Sequence, residues 1–472
     1  MIGLLALTVA IVVEDGSTLR ASPSDTAARQ ADLFRGDWLE VRGRERGYVK
    51  VWDHRHERPG YVRTWRVREV ALDEGSAPDL RAVTLFLRDA PGFESLGLGY
   101  AALFLKAAPG GDVRSDVYDA IGTMADRLAR RASSKSPVTE AATLAGHLEV
   151  ASSLGVGLLS SEHDGRARLV YDGEAFRRVL ATSSDPGERA RAALALTRDD
   201  GLATDAGPVA IKLWNEWRIG VLHKADPYGL PPEVAGRLRA RGASVLAWLA
   251  HTYGTLGQPE RAIEASDEAL RQLLLVRADD LMPEDRAELE EATLRVACSR
   301  FAAAPPMTQV AAGRLAVEAL PAPDGGTCVR VIESGGRGPR TVLERETYGQ
   351  VWLGSARASG LGNAVAVTVQ PLPSWTELWM LHRTETGWQL DTLAPAPISP
   401  GVGYAEAAGF SPDGSRILVA REALVDGKRT RSFEIRNLQT LAVEKQADNL
   451  DHFPSFRKWA SAEWRASNLA QR

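Results

Sequence analysis

The chain has 472 residues, 44% apolar and 25% charged, with a formal net charge of −4. That length exceeds one ordinary core, the composition belongs to folded protein rather than disorder, and the acidic balance gives a phosphate backbone no overall attraction, which argues against nucleic acid as a partner. The only cysteines, Cys298 and Cys328, exclude a cysteine-rich zinc site and a disulfide framework, leaving either one bridge or two buried thiols.

The first stretch, MIGLLALTVAIVV, is apolar as far as Val13. It is shorter than the roughly 20 residues that span a bilayer, so no transmembrane span is expected. Residues 1–10 have the length and character of the apolar part of a signal segment, with small residues at Thr8-Val9-Ala10 for cleavage after Ala10, although a charged start is missing. The expectation is a truncated export signal and a periplasmic or secreted protein. The alternatives are a first β-strand and a cytoplasmic chain.

Residues 11–72 alternate apolar and polar positions between Gly, Pro and charged turns, which predicts an all-β module. Gly-Tyr-Val occurs twice, at 47–49 and 60–62. The aromatic set Trp38, Tyr48, Trp52, Tyr61 and Trp65 is the candidate ligand site, because alternation puts some of these rings outside the module. Completing a small core is their other possible role. Leu19-Arg20-Ala21-Ser22-Pro23, the turn Leu33-Phe34-Arg35-Gly36-Asp37, the strand Tyr48-Val49-Lys50-Val51 and the closing Pro59-Gly60-Tyr61-Val62 follow the order of parts of the bacterial SH3-type domain, which this segment resembles. The resemblance implies a small SH3-like β-barrel that holds an extended peptide, and peptidoglycan stem or cross-bridge peptides as its ligand.

Residues 76–304 carry apolar residues at three- and four-residue spacing, which predicts a helical domain. The expected helices are 78–89, 94–107, 115–133, 138–154, 174–182, 186–197, 208–224, 231–256, 259–280 and 283–303, with a β-hairpin insert at 158–173 turning at Asp164-Gly165. Within 244–271, Leu249, Ala250, Tyr253, Ala262 and Ala269 stand at the offsets of a tetratricopeptide repeat, which this one hairpin resembles.

From 313 to 453 the period returns to two, predicting an antiparallel β domain of two units with four short strands each. Phe410-Ser411-Pro412-Asp413-Gly414 resembles the hairpin of WD-like β-propeller blades. Two units and a partial third fit an open layer or sandwich better than a closed propeller. A closing helix is expected over 454–472, carrying Trp459 and Trp464. The fold class is therefore multi-domain α+β.

No catalytic residue, metal ligand set or cofactor is assigned. His54 and His56 precede Pro59-Gly60 in a charged hairpin tip, no Gly-x-Ser-x-Gly elbow or phosphate loop occurs, and Gly97-Leu98-Gly99 fits a helix packing contact. The expected role is a non-enzymatic envelope binding or scaffold protein, whose partner is a peptide, a peptidoglycan fragment or another protein. An enzyme with a site at the helical/β junction is the alternative.

Overall fold

A computed structural model of the chain describes residues 7–108, 114–134, 138–163, 166–199, 206–303, 307–312, 314–335, 338–397 and 401–467. It divides into two compact units, residues up to Ala206 with Lys224–Asp226, and Gly207–His223 with Pro227 onward, so the helices expected as one domain over 76–304 are shared between them.

In the first unit, β1 (Leu7–Val12), β2 (Ser17–Arg20), β3 (Arg29–Leu33), β4 (Trp38–Glu45), β5 (Tyr48–Asp53), β6 (Arg58–Arg63) and β7 (Val67–Leu72) form an antiparallel sheet in the order β3-β2-β6-β5-β4-β1-β7. Period-two alternation sends Ala10, Val12, Leu19, Leu33, Leu39, Val49, Val51 and Val62 to one core. The expected closed barrel is not formed. β1 pairs with both β4 and β7, and its outward residues Val9 and Ile11 are fully buried. The strand begins at Leu7, inside the stretch read as a signal segment, whose first six residues lie outside those described.

Helices α1 (Ala77–Arg88), α2 (Glu94–Ala107), α3 (Ser115–Ser133), α4 (Val138–Ser153), α5 (Glu174–Thr182) and α6 (Pro186–Leu196) complete this unit, with the antiparallel pair β8 (Leu158–His163) and β9 (Arg166–Tyr171). The turn expected at Asp164-Gly165 lies outside the described residues. Helix α6 shows why a helix starts where it does: Asp185 accepts from the Glu188 N–H at 2.7 Å, and Pro186 takes the first helical position.

The sheet meets α2 through glycines. Gly36 has φ +94°, and a Cβ there would fall on the Ser95 carbonyl oxygen. A Cβ on Gly99 would lie 2.6 Å from the Gly36 oxygen and 2.9 Å from Ile11 Cδ1. Gly97 opens the adjoining face of α2 to Met124 of α3. Backbone thus rests on backbone, held beside the buried Glu94, which accepts from Arg127 Nε at 2.7 Å and from Arg131.

In the second unit, α7 (Pro208–Leu222), α8 (Pro232–Thr255), α9 (Pro259–Leu274) and α10 (Pro283–Ser299) precede the strands. Small residues let α8 and α9 lie antiparallel: Leu249, Ala250 and Tyr253 pack on Ala262 and Ala265, while Ala243 and Ala247 pack near Ala269 and Leu273. Helix α9 ends earlier than the spacing predicts, because Arg277 turns extended and Leu281 is buried against Gly236 of α8.

Three four-stranded meanders follow: β10 (Gln309–Ala312), β11 (Leu315–Pro321), β12 (Thr327–Gly335) and β13 (Gly338–Thr347); then β14 (Gln350–Ala358), β15 (Ala364–Leu372), β16 (Trp375–Thr384) and β17 (Gly387–Leu393); then β18 (Val402–Phe410), β19 (Arg416–Val425), β20 (Lys428–Asn437) and β21 (Val443–Ala447). The first packs face to face on the second through Leu315, Val317 and Val331 against Val351, Val367 and Trp379. The last two share one sheet, since β16 pairs with β17 over most of an edge and with β18, in parallel, at Trp375 and Thr376. At the turn read from Ser411-Pro412-Asp413-Gly414, Gly414 has φ +64° and Asp413 accepts from Ser415 N at 3.1 Å.

The expected closing helix is broken into α11 (Pro454–Trp459) and α12 (Ala462–Ser467). Ser461 donates its N–H to Ala408 at 2.8 Å and caps Trp464 N at 3.1 Å, and Gly409 leaves room for the Trp459 carbonyl, so docking on β18 interrupts the helix.

Gly36→Ala is expected to destabilise the first unit by about 3 kcal/mol, through left-handed strain and overpacking, and Gly99→Ala by about 1–3 kcal/mol. Gly220→Ala, a helix position with open space around it, should instead raise stability by up to about 1 kcal/mol. Urea unfolding of the full chain measures all three.

Candidate functional site

Residues directly opposite in an antiparallel pair project to the same face. Glu40 lies opposite Trp52, which lies opposite Pro59; Lys50 lies opposite Tyr61, and Tyr61 opposite Arg20; Tyr48 lies opposite Arg63. Trp38, two residues from Glu40, shares this outer face. The structure therefore brings Trp38, Tyr48, Trp52 and Tyr61 together, across the sheet from the valine and leucine core.

Their environments differ. Tyr48 is 2% exposed, donates to Asp25 Oδ1 at 2.6 Å and carries the Arg63 guanidinium 4.3 Å from its ring centre. Burial and the Asp25 carboxylate raise its phenol pKa. It is a structural residue, not an open groove wall. Trp38, Trp52 and Tyr61 are half-buried. Lys106, in the last turn of α2, sits 5.1 Å from the Trp38 ring centre, so Trp38 marks where the helix stops covering the face. Trp65 stands in a 3-10 turn after β6, 59% exposed, with the Arg66 guanidinium 4.1 Å over its ring.

His54 and His56 are held by acids: His54 Nε2 lies 2.9 Å from Glu40 and His56 Nδ1 2.6 Å from Asp53. Among the described residues no group of three or more His, Cys, Asp or Glu could hold a metal ion, and no helix is long and apolar enough to cross a membrane. Cys298 and Cys328 are separate buried thiols. Burial pushes the Cys298 thiol up to about 12, and its Sγ donates to the Gly403 carbonyl at 3.1 Å.

Asp15, after β1, and Asp37, before β4, sit in opposite environments. Burial would raise Asp15, but hydrogen bonds from His147 at 2.8 Å and from the Arg35 N–H at 3.0 Å outweigh it and hold the carboxyl at about 2. Burial dominates at Asp37 and raises it to about 6 despite Arg55 at 3.3 Å. Asp15, His147 and Lys106 had no signal in the sequence, because their partners are set by docking of α4 and α2 rather than by local spacing.

The junction of helices and strands in the second unit holds a cleft of about 240 Å³ between α8, α9 and β14, lined by Pro259, Ala262, Phe301, Met307 and Trp352. Among the described residues no acid, base or nucleophilic side chain lines it, and Gln350 is its one polar side chain besides the Trp352 indole. Comparison of the chain with models of known protein families, with characterised proteins and with solved structures finds no match in any of the three.

Tyr48→Ala is expected to cost about 3–5 kcal/mol of stability, whereas Trp65→Ala should stay within about 0.5 kcal/mol; thermal melting separates the two. A pH series gives a second check. With Asp37 at about 6 in the folded state and 3.8 as its ordinary value, the folded chain holds the extra proton between roughly pH 4 and 6, so stability falls as pH rises through that window. Asp37→Asn should remove this fall. Asp15 acts oppositely: its contribution is present above its ordinary range and is lost as pH drops from about 4 to 2.

Proposed function

We propose that the chain is a non-enzymatic binding protein whose N-terminal sheet holds an extended, carboxylate-bearing peptide on the outer face of β4, β5 and β6. The observation that carries this reading is the row Arg20, Tyr61, Lys50 beside the row Pro59, Trp52, Glu40, in which half-buried rings alternate with cations on one face. Flat rings offer stacking area at little entropic cost, and flanking cations suit a peptide rich in carboxylates. The likeness of this segment to bacterial SH3-type domains makes peptidoglycan stem or cross-bridge peptides the ligand class, with the protein in the bacterial envelope. Cell fractionation tests the compartment, since recovery only in cytosol would remove the wall ligand. The blade-like reading of the C-terminal meanders and the tetratricopeptide-like reading of α8 and α9 support a scaffold role in the same protein.

The assay is retention of the full chain on purified cell wall, alongside affinity for a soluble muropeptide. Trp52→Ala and Tyr61→Ala should each weaken binding tenfold or more, about 1.4 kcal/mol or above, with the melting point unchanged. Equal retention of wild type and both variants would refute the assigned face.

A further inference from the structure

Helices α11 and α12 dock on β20 through Phe433, Phe456 and Trp464, whose rings meet edge-on or tilted at 5.3 and 5.7 Å. Beside this aromatic floor lies a cavity of about 570 Å³, in the size range of small-molecule sites. Among the described residues its wall carries three guanidinium groups, Arg431, Arg457 and Arg465, and one carboxylate, Asp451.

Counting charges around it leaves an excess of cation. Arg431 lies 2.8 Å from Glu422, but that buried carboxylate also takes Arg429 at 2.7 Å, so two cations share one anion. Arg457 is matched by Asp451, and Arg465, exposed in the last turn of α12, adds a further positive charge. Trp464 lines the same wall, and its buried indole N–H has no partner among the described residues.

We propose that this cavity binds a small organic anion, a carboxylate or a phosphate ester attached to an apolar or aromatic body. The guanidinium groups take the head group, in the fork geometry that suits both carboxylate and phosphate, and the floor of Phe456 and Trp464 takes the body. Specificity follows from the division: charge selects the anion, and the aromatic floor rejects small inorganic ions that bring no apolar surface. The site is in the second unit and is independent of the peptide face.

The test is calorimetric titration of the full chain with 2-naphthoate, 2-naphthyl phosphate and the neutral 2-naphthol. At least one anion should bind tenfold or more tighter than 2-naphthol, and the tighter of the two identifies the head group. The exposed pair Arg457→Gln with Arg465→Gln should weaken that anion tenfold or more at an unchanged melting point, while Trp52→Ala leaves it unaffected. Binding of 2-naphthol as tight as both anions, no binding of any probe at millimolar concentration, or unchanged affinity in the double arginine variant would overturn the proposal.

Discussion

The contact of Gly36 with helix α2 decides what the N-terminal sheet can do. A turn in the left-handed region sets its backbone against Ser95 and Gly99, a closeness that only paired glycines allow. Once α2 lies there, Val9 and Ile11 become helix-facing core, and that part of the outer face is covered. The same docking brings α4 close enough for His147 to reach Asp15 across 132 residues of sequence, and Arg35 to bond the same carboxylate at 2.6 Å. What remains open is the half of the outer face on β4, β5 and β6. The open surface is therefore defined by subtraction: α2 takes one half of the face, and Lys106 over Trp38 marks the line between them.

The second unit is held by a different device. Its helix α10 joins its strands through buried polar pairs: Arg300 of the turn after α10 pairs with Glu406 of β18, and Cys298 donates to Gly403. Within the sheet the fully buried Glu434 is matched by Arg421 and by Arg436 at 2.6 Å. Breaking such a pair strands a charge in a dry interior and typically costs about 3–5 kcal/mol, so these pairs enforce one arrangement of helix on sheet. The first meander then stacks on the second by apolar faces, as Val331 does on Val351 and Val367.

Much of this was legible locally. Proline and glycine punctuation placed most helix starts, because proline suits the first helical turn and little else in a helix. Alternation put some of the five candidate rings outside, since the strand period is two whatever the tertiary context, and pairing across the strands shows that Trp38, Trp52 and Tyr61 are among them. Tyr48 obeyed the same alternation and was still enclosed, because Asp25 and Arg63 cover it from a loop and a neighbouring strand. The barrel expectation failed because the strands run in an open order from β3 to β7, and the covering of the outer face by α2 was hidden because Gly99 depends on a partner 63 positions away that no local pattern encodes. The early end of α9 at Leu274 and the break at Ser461 have the same origin: burial of Leu281 and docking on Ala408 override helix periodicity. The arginine cavity was invisible for the related reason that its wall joins β20 to helices that only tertiary docking brings together.

The most direct measurement is hydrogen–deuterium exchange of the full chain with and without a soluble peptidoglycan stem peptide. Slowed exchange confined to Tyr48–Asp53 and Arg58–Arg63, with no change in Glu94–Ala107, is the result expected if the uncovered half of the outer face holds the ligand. Protection that appears elsewhere in the chain, or none at saturating peptide, would contradict it.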